Sequence, residues 1–171
     1  MNFNLIKIDN ILIEHNNNNN YSVRYKNAKN EIKPLLVKLP LLYLPFGIDK
    51  EYGSFYLKAQ LRKTNDFKHN KELKLFLEFI EQLEELFQKH IKKEISSQIR
   101  YSKDYDTIVV FKILKTKTGI TTEITQNKEY FNFFKITKNM SFKGNILIDS
   151  LWIYNNKIFY KIKLKNIDIS V

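Results

Sequence analysis

The 171 residues contain no cysteine, only four glycines and three prolines, and a single tryptophan. Without cysteine there is no disulfide framework and no Cys-ligated zinc. The glycines (Gly47, Gly53, Gly119 and Gly144) are scattered and form no phosphate-cradling loop. Long apolar runs are missing as well. Spanning a bilayer takes roughly 20 apolar residues, and the most apolar segment, LLVKLPLLYLPFGI, is broken by Lys38, Pro40 and Pro45. The N-terminal MNFNLIKIDN lacks the charged and apolar regions of a signal peptide. These absences predict an intracellular protein with no membrane partner. His15, His69 and His90 have no metal-ligand spacing, and Ser96-Ser97 has no nearby base. No metal, no cofactor and no enzymatic activity are expected.

What is present is enough apolar material for a core: 43% hydrophobic and 14% aromatic residues. A chain of this length fits one domain, taken as residues 1–171. The net charge is +11 and the pI near 9.6, which suits a polyanionic partner. Arginine occurs only at Arg24, Arg62 and Arg100, so lysine carries nearly all of that charge. Lysine, asparagine and isoleucine are jointly abundant, as codon drift in an AT-rich genome produces. The basicity therefore permits a nucleic-acid partner and does not by itself argue for one.

Most of the chain reads as short strands. Candidates are Phe3–Ile8, Ile11–His15 and Tyr21–Tyr25, with the asparagine tract Asn16–Asn20 as a hairpin loop. EIKPLLVKLP is extended, and Pro40 and Pro45 keep LLYLPFGI irregular. In SFYLKAQLR, Phe55, Leu57, Ala59 and Leu61 share one face; Tyr56, Lys58, Gln60 and Arg62 share the other. Later candidates are Thr107–Lys115, Ile120–Thr125, Tyr130–Ile136, Asn145–Tyr154 and Lys157–Ser170. One helix interrupts them. Leu73, Phe76, Ile80, Leu83, Phe87, Ile91 and Ile95 recur at steps of three and four. It is read over 70–96, with Asn70 as N-cap. Packing on the barrel is its expected role, and a homodimer contact follows only if Leu75, Leu77 and Leu86 stay exposed. Eight to ten strands and one helix predict a mainly β fold, an OB-fold-like Greek-key β-barrel with a helix inserted in mid-chain.

The C-terminal WIYNNKIFYKIKLKN alternates lysine with apolar residues. If Asn155-Asn156 is a two-residue turn, Tyr154 faces Lys157, Trp152 faces Phe159 and Ser150 faces Lys161. One side then reads Ile148, Ser150, Trp152, Tyr154, Lys157, Phe159, Lys161, Lys163. The other reads Leu147, Leu151, Ile153, Ile158, Tyr160, Ile162, Leu164, with Asp149 an unexplained charge on that core side. Rings beside cations are what a single-strand-binding surface needs, because every base has a π-face. A three-residue turn would put Trp152 opposite Tyr160 and dissolve the mixed face. A second reading stays open in either register: the rings are covered and the lysines merely solvated.

The proline-framed Leu39–Gly47 segment, the mid-chain helix and the terminal Gly144…Trp152…turn…lysine-rich strand resemble OB-fold single-stranded-DNA-binding proteins of nucleocytoplasmic large DNA viruses. Those are relatives of the single-strand-binding protein of short-tailed phages. The resemblance implies sequence-independent coating of single-stranded DNA, with RNA as the alternative polymer, in viral replication, recombination or repair. It implies residence in the host cytoplasm, a viral factory, the nucleus or the virion. Related phage and bacterial proteins end in an acidic tail that recruits replication proteins. This chain ends NIDISV with one side-chain carboxylate, Asp168, and recruitment by such a tail is not expected of it.

The residues expected to contact nucleic acid are Lys58, Arg62, Lys112, Lys161 and Lys163 for phosphates and Trp152, Tyr154 and Phe159 for bases. The competing reading is a virion structural or assembly protein whose barrel makes only protein contacts. A third, a metal nuclease using Asp104 and Asp106, is the weakest, since acidic pairs before strands are ordinarily loop chemistry.

Overall fold

The computed structural model describes residues 1–103 and 106–170. Its strands are β1 (Ile11–His15), β2 (Asn20–Lys26), β3 (Ile32–Lys38), β4 (Leu42–Leu44), β5 (Ile48–Glu51), β6 (Ser54–Gln60), β7 (Glu94–Ile95), β8 (Ile99–Arg100), β9 (Ile108–Ile113), β10 (Glu123–Gln126), β11 (Glu129–Tyr130), β12 (Met140–Ile148), β13 (Ser150–Tyr154), β14 (Lys157–Tyr160) and β15 (Ile162–Ser170). The helix α1 spans Phe67–Ile91.

Five strands close a ring in the order β4–β6–β9–β15–β12 and back to β4. Every contact in the ring is antiparallel except β9–β15, which is parallel. Counted along the chain, the ring runs first, second, third, fifth, fourth, the OB-like Greek-key barrel expected from the sequence. The helix, however, lies between the second and third ring strands, one step earlier than in a standard five-stranded barrel. A second sheet of β1, β2, β13, β14 and β7 extends from the barrel through β3 and packs on the helix.

The helix starts earlier and ends earlier than its apolar stripe predicts. Asp66, not Asn70, is the N-cap, accepting from the Lys68 and His69 amides at 2.8 and 3.2 Å. Asn70 instead braces the approach, accepting from the Thr64 amide and donating to its carbonyl. At the other end Lys92 turns left-handed with φ 58°, and Glu94–Ile95 leave the helix to pair with Lys157–Ile158. Leu73, Phe76, Ile80, Leu83 and Phe87 are buried as expected. Leu75, Leu77 and Leu86 pack partly buried against the core, so they form no exposed row for a helix-mediated dimer. Glu84 is also buried and accepts from the Tyr160 hydroxyl at 2.5 Å, Ser97 Oγ and the Gln98 amide. Three donors offset the cost of burying that carboxylate and tie the helix to the base of the C-terminal hairpin.

Two segments read as strands are 3₁₀ turns. Phe3 and Ile6 are both buried at a spacing of three, and Asn2 caps the first turn by accepting from the Asn4 amide. Phe133 and Ile136 repeat the pattern, with Asn132 as the cap. In both places a local side-chain-to-backbone bond competes successfully with the ladder. Gly144 lies where β12 crosses β15: a Cβ there would come within 2.1 Å of the Asn166 carbonyl oxygen, so only glycine fits.

Candidate nucleic-acid interface

The hairpin turn is the two-residue one. Asn155 and Asn156 have φ of 46° and 60°, both left-handed as a type I′ turn requires, and asparagine tolerates that region. Trp152 pairs with Phe159 and Tyr154 with Lys157, and the three-residue register that would oppose Trp152 to Tyr160 does not occur. The Trp152 and Phe159 rings stack with centroids 6.0 Å apart and planes 19° apart. Tyr154 meets Phe159 edge-on at 6.3 Å. Tyr154 is 63% exposed and the other two rings are half-buried, while Leu151, Ile158 and Tyr160 on the reverse side are buried.

Beyond the hairpin the expected face needs correction. Ile148 is buried and Leu147 half-exposed, the reverse of the predicted assignment. The strand is interrupted at Asp149 between β12 and β13, and burial passes there from Ile146 and Ile148 to Leu151, which switches the side that faces the core. Asp149 is thereby turned outward, where it pairs with Lys163 at 2.5 Å. The charge that looked misplaced has a partner.

The opposite strand keeps its alternation from Lys157 to Leu164. Ile158, Tyr160, Ile162 and Leu164 are buried, so Lys157, Phe159, Lys161 and Lys163 share the outer side. That side runs onto the barrel, where Lys163 is beside Lys112 on β9 and Lys112 is opposite Tyr56 on β6. Lys58 shares the Tyr56 side. Four of the five expected phosphate contacts, Lys58, Lys112, Lys161 and Lys163, are therefore brought onto one face, with the three rings at its upper end. Arg62 lies two residues past β6, its guanidinium 4.9 Å from the centre of the Tyr43 ring.

These cations differ in availability. Lys58 is held by Asp49 and by Glu51 at 3.1 Å, with 18% of its side chain exposed. The Asp49 hydrogen bond raises the Lys58 pKa above the ordinary lysine value, and the same bond lowers that of Asp49. Lys163 is tied to Asp149. Lys161 has no carboxylate in ion-pair range among the described residues. Its Nζ stands 5.1 Å from the centre of the Tyr56 ring, and burial, with a smaller push from Arg100, lowers its pKa against the opposing pull of Glu51. Tyr56 and Arg100 belong to this face and were not among the expected contacts. The alternation that sets Tyr56 beside Lys58 was the available signal for the first; nothing local marks Arg100.

No group of three or more His, Asp or Glu side chains able to hold a metal occurs among the described residues. Asp104, half of the pair considered for a nuclease, lies outside the described residues. No described helix is long and apolar enough to cross a membrane. No protein-family model matches the chain, and no curated protein matches it in sequence.

Proposed function

We propose that this protein binds single-stranded DNA, or RNA, without reading its sequence. Bases stack on Trp152, Phe159 and Tyr154; Lys161, Lys112, Arg62 and, released from its exposed 3.4 Å pair with Glu94, Lys157 meet the phosphates. The observation that carries the reading is the stacked, half-exposed Trp152–Phe159 pair on the same side as Lys161 and Lys112. Large rings left partly in water beside Lys161 and Lys112, which have no carboxylate in ion-pair range among the described residues, form a surface that lacks its complement. The barrel supplies a fold-level analogy. In OB-folds the outer face of the second and third strands, flanked by the connections 1–2 and 4–5, binds oligonucleotides. Here the second and third ring strands are β6 and β9, and the ring-bearing hairpin is the connection between the fourth and fifth. Such a protein would coat single strands exposed during replication, recombination or repair, in keeping with the viral proteins it resembles.

Trp152 is the sole tryptophan, so its fluorescence reports on the site. Titration with oligodeoxythymidylate should quench it, and affinity should fall with salt at a log–log slope of about −3, the value for ~4 phosphate contacts on a single strand. Duplex of equal length should bind far more weakly. Absence of quenching together with absence of salt dependence would remove the proposal and favour a purely structural barrel.

A further inference from the structure

A second meeting of rings and lysines lies at the opposite end of the barrel from the hairpin. β15 enters the ring at Ile162, level with Phe111 and Leu57, whereas Phe55 and Ile113 mark the far end of β6 and β9. There Phe55 packs edge-on against Phe133 and Phe134, with centroids 5.1 and 6.4 Å away. Phe133 is buried, but Phe134 is 73% exposed. Its outward position is fixed rather than loose, because Asn132 accepts from the Phe134 amide at 3.0 Å and holds the turn.

Two ammonium groups converge on this cluster. Lys50 Nζ stands 5.9 Å and Lys115 Nζ 5.4 Å from the centre of the Phe55 ring. A ring face attracts each cation, yet the two repel one another, and neither has a carboxylate in ion-pair range among the described residues. Lys58, three residues along the strand from Phe55, shows the contrast: two carboxylates hold it. Two cations over one ring with no acid beside them are complementary to an anion, and the exposed ring next to them is complementary to a flat apolar group. A nucleotide has both. Phe55 lies on the opposite side of β6 from Tyr56, so a strand passing from the lysine face to this cluster turns over the end of the barrel.

We infer that a bound single strand extends past Tyr56 over the end of the barrel, setting a phosphate between Lys50 and Lys115 and a base on Phe134. This rests on the binding role proposed above, and it makes the site longer than the lysine face alone.

The test is the length dependence of affinity. Phe134→Ala and the double variant Lys50→Gln/Lys115→Gln alter exposed groups, and thermal unfolding confirms that each remains folded. Oligodeoxythymidylates of about 4 and about 16 nucleotides bracket the site sizes of such folds. The shortest should bind each variant as it binds the unaltered protein, occupying the hairpin end. The longest should lose about tenfold in affinity, the loss of roughly one stacked base. Equal affinity of variants and unaltered protein at every length, with Trp152→Ala still weakening binding, would overturn the extension and leave the proposed function standing. An equal loss at all lengths would also overturn it, because the groups would then not form a distal subsite. If the unaltered protein bound no oligonucleotide, both readings would fall together.

Discussion

Lys58 and Lys161 lie on the same outer face of the barrel, and their surroundings are opposite. Lys58 is clasped by Asp49 and Glu51, which raise its pKa; Lys161 lies over the Tyr56 ring and is lowered by burial. The difference divides the face in two. Around β5–β6 the charge is internally neutralised, and a phosphate arriving there would have to compete with carboxylates already in place. Along β14 and the start of β15 the cations stand beside rings. Lys163 is tied to Asp149 and Lys157 to Glu94 in a solvent-exposed pair at 3.4 Å, while Lys161 has no carboxylate in ion-pair range among the described residues. In a chain with so many lysines, the count therefore says little about anion binding. What matters is which lysines the fold leaves without an acid.

The largest effect should come from removing the rings at the hairpin end. Trp152→Ala/Phe159→Ala should weaken single-strand binding about 100-fold or more, since stacking contributes about 1–3 kcal/mol per base and each 1.4 kcal/mol is tenfold. Oligonucleotide binding by anisotropy, which needs no tryptophan, reads this directly. A smaller and opposite effect should follow from freeing the committed end. Asp49→Asn/Glu51→Gln releases Lys58 to solvent and removes two negative charges from the face. Affinity should rise severalfold, and the salt slope should steepen by about 0.7, one more phosphate contact. An unchanged slope would show that strands never pass over β6, and the division of the face would lose its functional meaning.

The hairpin was legible because its signal is local, two asparagines between alternating runs, but its register stayed open until the structure showed both asparagines left-handed and Trp152 opposite Phe159. The long helix was legible from its stripe, but its start was not. Asp66 and Asn70 are equally good caps in sequence, and only the bonds between Asn70 and Thr64 show which role each has. The switch at Asp149 could not be read locally at all. It arises where the chain leaves β15 as the neighbour of β12 and takes up β14 as the neighbour of β13. For the same reason Ile148 and Leu147 were assigned to the wrong sides. The 3₁₀ turns at Phe3 and Phe133 were hidden by apolar residues that also fit a strand, the decisive asparagine caps being tertiary only in their consequences. Most consequential for function, the partners of the lysines were invisible. Asp49 and Glu51 lie on β5, past the proline-framed segment, and reach Lys58 through the two-residue Tyr52-Gly53 turn that pairs β5 with β6.

Ultraviolet cross-linking of the protein to oligodeoxythymidylate, followed by mapping of the modified peptides, tests the central claim most directly. Bases stacked on rings should attach to Trp152, Tyr154 or Phe159, in the peptide spanning the Asn155-Asn156 turn. Attachment confined to peptides away from that hairpin, with Trp152 and Phe159 unmodified at saturating oligonucleotide, would contradict the account.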